Sequence, residues 1–335
     1  MIRKVFFASV SAGTGRAACA ALVGCGARVG CAALVACAAL VGCTGHTPTA
    51  PEAPSVAQAP VRTTAEVLAA AADTDWRPLD PGWTLYLDLD AGRVVLELSP
   101  TFAPGHVANL LTLVRAGYFD GLSIVRSQDN YVVQWGDPHA EEPTQKRSLG
   151  KALTDLPAEY TRTSDLPFTP LPDGDVYAPQ TGWSDSMPAA RDPEARQAWP
   201  VHCYGMVGVG RNEPPDTGTG AELYVVTGHS PRHLDRNLAV VGRVVQGMDL
   251  LSTLPRGTEA LGFYAKPEQR VPIRSVRLAA DLPAAQQLAL EVMRTDTATW
   301  QAFVASRRTR REGFFVEPTG RVEVCNVWIP VRKRP

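Results

Sequence analysis

The chain has 335 residues, enough for one large domain with appendages or two modest ones. Its 33 Lys and Arg balance 34 Asp and Glu, so it lacks the basic excess with which proteins hold nucleic acid. With 28 glycines and 28 prolines, the composition favours a loop-rich β protein over a helical bundle.

Five of the cysteines, Cys19, Cys25, Cys31, Cys37 and Cys43, recur every six residues in a low-complexity run. Arg3, Lys4, Arg16 and Arg28 supply positive charge, and residues 29–42 are uncharged and apolar. That run is shorter than the roughly 20 apolar residues of a membrane-spanning helix and suits a signal-peptide core. Leu40-Val41-Gly42-Cys43 resembles a bacterial lipobox, which implies lipidation of Cys43 and a membrane anchor. Thr44, in the place of an aspartate, implies the outer membrane. Cys25 and Cys37 end the same pattern, but Arg28 would interrupt the core for the first, and the chain turns polar only after Cys43. An ordinary secretory signal is the alternative. Residues 1–43 are thus read as signal peptide, and residues 44–82 as a Pro/Ala-rich linker with a short helix over 64–72.

Residues 83–98 alternate apolar and polar side chains around Ala91-Gly92, which predicts a β-hairpin. Pro104 opens a helix with Val107, Leu110, Leu111 and Val114 on one face, and Gly117 closes it. Ile124-Val125-Arg126 and Tyr131-Val132-Val133-Gln134 read as two strands that bring Arg126 and Gln134 together beside an apolar wall. Residues 138–200 are rich in Pro, Asp and Thr, with Phe168, Tyr177, Trp183 and Trp199 as isolated anchors. They are expected to form a packed surface excursion, the alternative being a partner-binding arm. Gly208, Gly210, Gly218 and Gly220 read as tight turns, since no Lys-Ser/Thr follows to make a phosphate cradle. His229 and His233 flank Pro231, which favours a loop over a helical metal pair, so no metal site is expected. In the tail, Leu288, Val292, Trp300, Phe303 and Val304 predict one helix or two short ones. Arg307-Arg308-Thr309-Arg310-Arg311 reads as a solvated helix end, and Pro318-Thr319-Gly320 as the turn of a hairpin.

Four blocks in this order resemble the cyclophilin-type peptidyl-prolyl isomerases. They are Ala103-Pro104-Gly105-His106-Val107-Ala108-Asn109-Leu110, the pair of strands from Ile124 to Asp137, residues 204–227, and residues 234–249. The resemblance covers residues 83–281. It implies a mainly β fold, a closed eight-stranded antiparallel barrel with two helices, and leaves residues 282–335 as a C-terminal α/β extension. It also implies a site. Arg126 and Gln134 are the catalytic pair; Tyr131, Val132, Tyr224, Leu234 and Leu238 surround the proline ring; Gly210, Arg211 and Glu222 lie along the peptide. His233 stands where many members carry tryptophan. Tyr131 and Tyr224 replace phenylalanines, Val132 a methionine, Leu238 a histidine, Arg211 an asparagine and Glu222 a glutamine.

The reaction implied is rotation about an X-Pro amide, whose barrier is about 18–20 kcal/mol. It needs no nucleophile, metal or cofactor, only an apolar cup and a donor that favours the twisted amide. An arginine suits the donor role, being always charged and carrying several N–H groups in one plane. The plainer alternative is a surface arginine paired with Asp129. Proline-containing segments of envelope proteins are the expected partners of a monomeric enzyme, with no nucleic acid. The rival readings are a peptide-binding module without useful turnover and a structural envelope lipoprotein. Cys203 and Cys325 either pair, tying the tail to the barrel, or remain buried thiols.

Overall fold

The computed structural model describes residues 61–334. The signal segment, the lipobox and its candidate cysteines Cys25, Cys37 and Cys43 lie outside the described residues, as does the linker up to residue 60. No helix among the described residues is long and apolar enough to cross a membrane.

The described chain opens with α1 (Thr64–Ala69), whose start is fixed by a capping box between Thr63 and Glu66. After β1 (Trp76–Pro78) come the hairpin strands β2 (Thr84–Leu89) and β3 (Gly92–Leu98), then α2 (Pro104–Arg115), β4 (Ser123–Ser127) and β5 (Val132–Gly136). Residues 138–200 contribute β6 (Arg162–Thr163), β7 (Thr169–Leu171), β8 (Gln180–Ser184), β9 (Met187–Asp192) and β10 (Gln197–Pro200). There follow β11 (Met206–Val209), β12 (Leu223–Val226), β13 (Val240–Gln246), α3 (Met248–Ser252) and β14 (Val271–Leu278). The tail supplies β15 (Leu290–Met293), α4 (Ala298–Arg308) and β16 (Val331–Lys333).

Eight strands close into an antiparallel barrel in the order β11-β12-β5-β4-β14-β2-β3-β13, with β13 returning to β11. This is the barrel expected from the sequence. Alternation sends Leu85, Leu87, Val94, Leu96, Val133, Trp135, Val207 and Val225 inward, all fully buried. Leu110 and Leu113 of α2 pack against this core.

The other face of the hairpin carries Tyr86 and Val95, which belong to a second core. There the arm before β2, the insertion and the tail meet. The insertion forms a five-stranded sheet in the order β6-β10-β9-β8-β7, and β1, β15 and β16 form a three-stranded sheet. Trp183 of β8 meets Trp300 of α4 edge to face at 4.9 Å, and Trp300 stacks on Phe303 at 5.4 Å. The strands β8, β9 and β10 are therefore a packed layer, while residues 138–180 are mostly exposed. Cys203 and Cys325 form a disulfide between the barrel and the tail.

Three expectations need correction. The linker read over 44–82 ends earlier, because Val67 of α1 is buried in the second core and Trp76 and Arg77 pair with Met293 and Val292. An Ala-rich, polar window concealed these two anchors. No hairpin forms around Pro318-Thr319-Gly320. Residues 314–316 lie exposed, while Val324, Val327 and Ile329 turn into the core. The tail has one helix, α4, capped by the Thr297 side chain; Val292 belongs to a strand instead.

Candidate active site

Strict alternation along β4 would put Ile124 and Arg126 on the same face of the sheet. A register shift between them breaks the alternation, so that Ile124 stays in the barrel core while Arg126 turns outward, opposite Gln134 of β5. Gln134 in turn lies opposite Tyr224 of β12, and Tyr224 opposite Gly208 of β11. Four neighbouring strands thus present one row of side chains. That row is the candidate site.

Arg126 is 2 % exposed and donates from Nε to the Leu261 carbonyl at 2.7 Å. Its Nη1 donates to Gln134 Oε1 at 2.8 Å, and its Nη2 donates to Gln128 Oε1. Three of the five N–H groups of an arginine are so committed, leaving one on each terminal nitrogen. The rings of Tyr131 and Phe263 lie 5.6 and 5.4 Å from the guanidinium carbon. Burial pushes Arg126 down to about 10, still cationic at neutral pH. Asp129 is not its partner: that carboxylate pairs with Arg256.

Beside the guanidinium, Val132, Tyr224, Val226, Leu234 and Leu238 form a separate apolar cluster with Tyr131 at its edge. Its chemistry is that of an apolar cup for a proline ring. His233 stands at its rim, parallel to Tyr131 with ring centroids 6.2 Å apart. The Tyr224 ring occupies space that only glycine concedes, since a Cβ on Gly208 would lie 2.2 Å from its hydroxyl. Below the cup, that hydroxyl bonds His202 Nε2 at 2.8 Å, and His202 Nδ1 meets Asp235 Oδ1 at 2.9 Å. Asp235 also accepts from Arg232 Nε at 2.7 Å, and Arg232 holds Asp175 of the insertion and Glu323 of the tail. Burial alone would raise Asp235, but the bond from His202 and the charges of His202 and Arg232 outweigh it and hold the carboxyl low. As an ionised acceptor, Asp235 takes a hydrogen bond from His202 Nδ1, and His202 Nε2 shares one with the Tyr224 hydroxyl.

The model of the family described as cyclophilin type peptidyl-prolyl cis-trans isomerase matches residues 84–278, more than half of the chain. This chain belongs to the cyclophilin-type isomerase family. A protein of Brucella suis named "Probable peptidyl-prolyl cis-trans isomerase" is 27 % identical over 198 residues, covering 57 % of this chain and 81 % of its own length. The counterpart in Brucella abortus is similar at the same identity and coverage. The crystal structure of the cyclophilin AquaCyp293 from Hirschia baltica superposes with a TM-score of 0.56 at 25 % identity. It covers 72 % of this chain and 89 % of its own, so the likeness reaches beyond residues 84–278.

Within this cyclophilin-type domain, Gly210, Arg211 and Glu222 are not in the cup. They line an adjoining cavity of about 500 Å³ together with Tyr118, Lys146 and Asp216. Arg211 donates to the Asn237 and Asn212 carbonyls and lies over the Tyr160 ring. Glu222 joins the two compartments, because Gln134 Nε2 donates to its Oε1. Burial raises the Glu222 carboxyl to about 7, with the Arg126 charge opposing the shift. The sequence reading overlooked His202, Asp235, Arg232, Gln128 and Leu261. A buried His and Asp 33 residues apart follow no motif; the one available signal was Tyr224, a hydroxyl at a position where phenylalanine is usual, which needs a partner once buried. Among the described residues no group of three His, Cys, Asp or Glu side chains could hold a metal ion.

Proposed function

We propose that this chain accelerates cis-trans exchange at X-Pro bonds in segments of exported proteins, with Arg126 as the group that stabilises the twisted amide. The observation that carries this reading is the placement of a buried, oriented guanidinium against an apolar cup. The proline ring fills the space between Val132, Tyr224, Leu234 and Leu238. As the amide twists, its nitrogen regains a lone pair, and a remaining N–H of Arg126 bonds to it. Gln134 holds the guanidinium plane through Oε1 and is itself held by Glu222. The donor is oriented before the substrate arrives, so little reorganisation accompanies the twist.

The chain acts, on this reading, on the outer side of a membrane, anchored through lipid on Cys43, and its clients are envelope proteins. Support comes from the apolar, cysteine-ended segment before residue 44 and from the Cys203–Cys325 disulfide, which suits an oxidising compartment.

The test is exchange NMR on a short X-Pro peptide with the full chain and its Arg126→Ala variant. Loss of one preorganised donor is expected to slow the catalysed exchange by about a hundredfold or more. A second reading, a peptide-binding module with slow turnover, is favoured by one fact: the guanidinium is almost fully covered and bonded to its own chain. Peptide binding without faster exchange in the wild type would establish that reading instead.

A further inference from the structure

The tail carries a surface whose chemistry the barrel site does not use. Beyond α4, residues 309–322 form a loop in which Phe314 is 86 % exposed, Val316 is 100 % exposed and Phe315 is 37 % exposed. The two phenylalanine rings meet edge to face at 5.3 Å. Contiguous apolar side chains at this exposure mark a place of contact rather than an ordinary solvated turn.

Around them the sequence from residue 307 to residue 321 holds five arginines against two glutamates. Arg308 and Arg321 are tied to Asp173. Arg307, Arg310 and Arg311 have no carboxylate within ion-pair distance among the described residues. Arg310 instead covers the Phe315 ring at 4.8 Å. Burial, reinforced by the neighbouring Arg310 charge, pushes Arg307 down, with the Glu312 charge opposing the shift.

The position of this loop adds a second, independent observation. The described chain begins at Val61, and three residues later Thr64 Oγ1 lies 3.0 Å from Ser306 Oγ in the last turns of α4. The N-terminal segment therefore enters the fold at the end of the molecule from which the loop projects. Cys43 precedes Val61 by 18 residues, so a lipid there would hold this end toward its membrane.

We propose that Phe314, Phe315 and Val316 dock into the headgroup region of an anionic phospholipid bilayer, with Arg307, Arg310 and Arg311 on the lipid phosphates. Aromatic and aliphatic side chains among arginines are the composition of interfacial membrane segments. Guanidinium groups pair with phosphate through two parallel N–H bonds. A protein partner fits less well, because three side chains on a convex loop offer far less than the area of a stable interface. The proposal rests on the anchor reading only for the orientation of the loop.

The experiment uses the full chain with Phe314→Trp, a change at an exposed site, and reads the emission difference from the parent protein. Vesicles of phosphatidylglycerol and phosphatidylcholine are expected to shift the new indole to the blue, and lipids brominated near the headgroup to quench it. Pure phosphatidylcholine vesicles are expected to do neither. Each of Arg310→Gln and Arg311→Gln is expected to raise the anionic lipid needed for half-maximal shift about fivefold. Unchanged emission while the protein co-sediments with anionic vesicles would overturn the proposal and leave the N-terminal segment as the sole contact. An equal response to phosphatidylcholine would overturn it as well, since the arginines would then play no part. Sedimentation with pure phosphatidylcholine vesicles reports the anchor and exchange NMR the isomerase, so either reading can fail without the other.

Discussion

At the scale of single residues, the site is a chain of oriented polar groups around an apolar cup, and two of its links titrate or fail in a measurable way. Glu222 is raised to about 7 by burial, above the ordinary glutamate range, so folding favours its protonated form. Its contribution to stability is thus present below the unfolded value and is lost as pH rises through about 7. Its effect on rate has the opposite sign, because the ionised carboxylate is the stronger acceptor for Gln134. If that bond is worth about 1 kcal/mol, kcat/KM should rise about three- to fourfold between pH 6 and pH 8. Glu222→Gln is expected to flatten the profile; an unchanged profile in that variant would exclude Glu222 as its source. The second link is the Tyr224 hydroxyl. Tyr224→Phe leaves His202 Nε2 buried without its partner and should cost about 1–3 kcal/mol in denaturant unfolding. Adding His202→Leu separates the pair from the Asp235 bond, and a double-mutant cycle on the two changes should return a coupling of about 1 kcal/mol. Additive losses would show that the hydroxyl and the imidazole act independently.

At the scale of elements, the sequence carried most of the barrel and little of what surrounds it. Alternation and turn chemistry exposed the β2–β3 hairpin, and helical spacing exposed α2, because each signal is local. The pairing of Arg126 with Gln134 was legible from their offset across one turn. The bulge that turns Arg126 outward was not, since Ile124-Val125-Arg126 carries no glycine or proline to announce it. His202, Asp235 and Arg232 escaped because their bonds join elements that sequence spacing does not connect. The second core escaped for a related reason: its apolar residues lie singly in segments that look like linker, insertion and tail. Trp300 shows how much depends on it. The residue is fully buried between Trp183 and Phe303, and Trp300→Ala should lower unfolding free energy by about 3–5 kcal/mol. The loss is expected in chemical denaturation followed by circular dichroism, and a change below about 1 kcal/mol would mean that α4 contributes little to the fold.

At the scale of the whole molecule, insertion and tail converge beneath the candidate cup, and the arm joins them in the second core. Arg232 reaches Asp175 and Glu323 from beneath it, and the disulfide fixes Cys325, two residues from Glu323, to Cys203 beside His202. The bridge closes a sequence separation of 122 residues. Opening it with Cys325→Ser should cost about 2–5 kcal/mol and should raise KM for an X-Pro peptide, since the floor of the cup loses its outer support. An unchanged KM in a destabilised variant would separate the tail from the site. The same convergence dictates an order of events. β15 lies between β1 and β16, and Trp76 pairs with Met293. A chain that leaves a ribosome or a translocation channel N-terminus first therefore presents its arm about 200 residues before the partner arrives. The barrel strands can close meanwhile, but the second layer waits for β15, α4 and β16, and throughout that interval Val67 and Trp76 stand uncovered. A barrel closed without β15, α4 and β16 would carry an open apolar flank where Tyr86 and Val95 face outward.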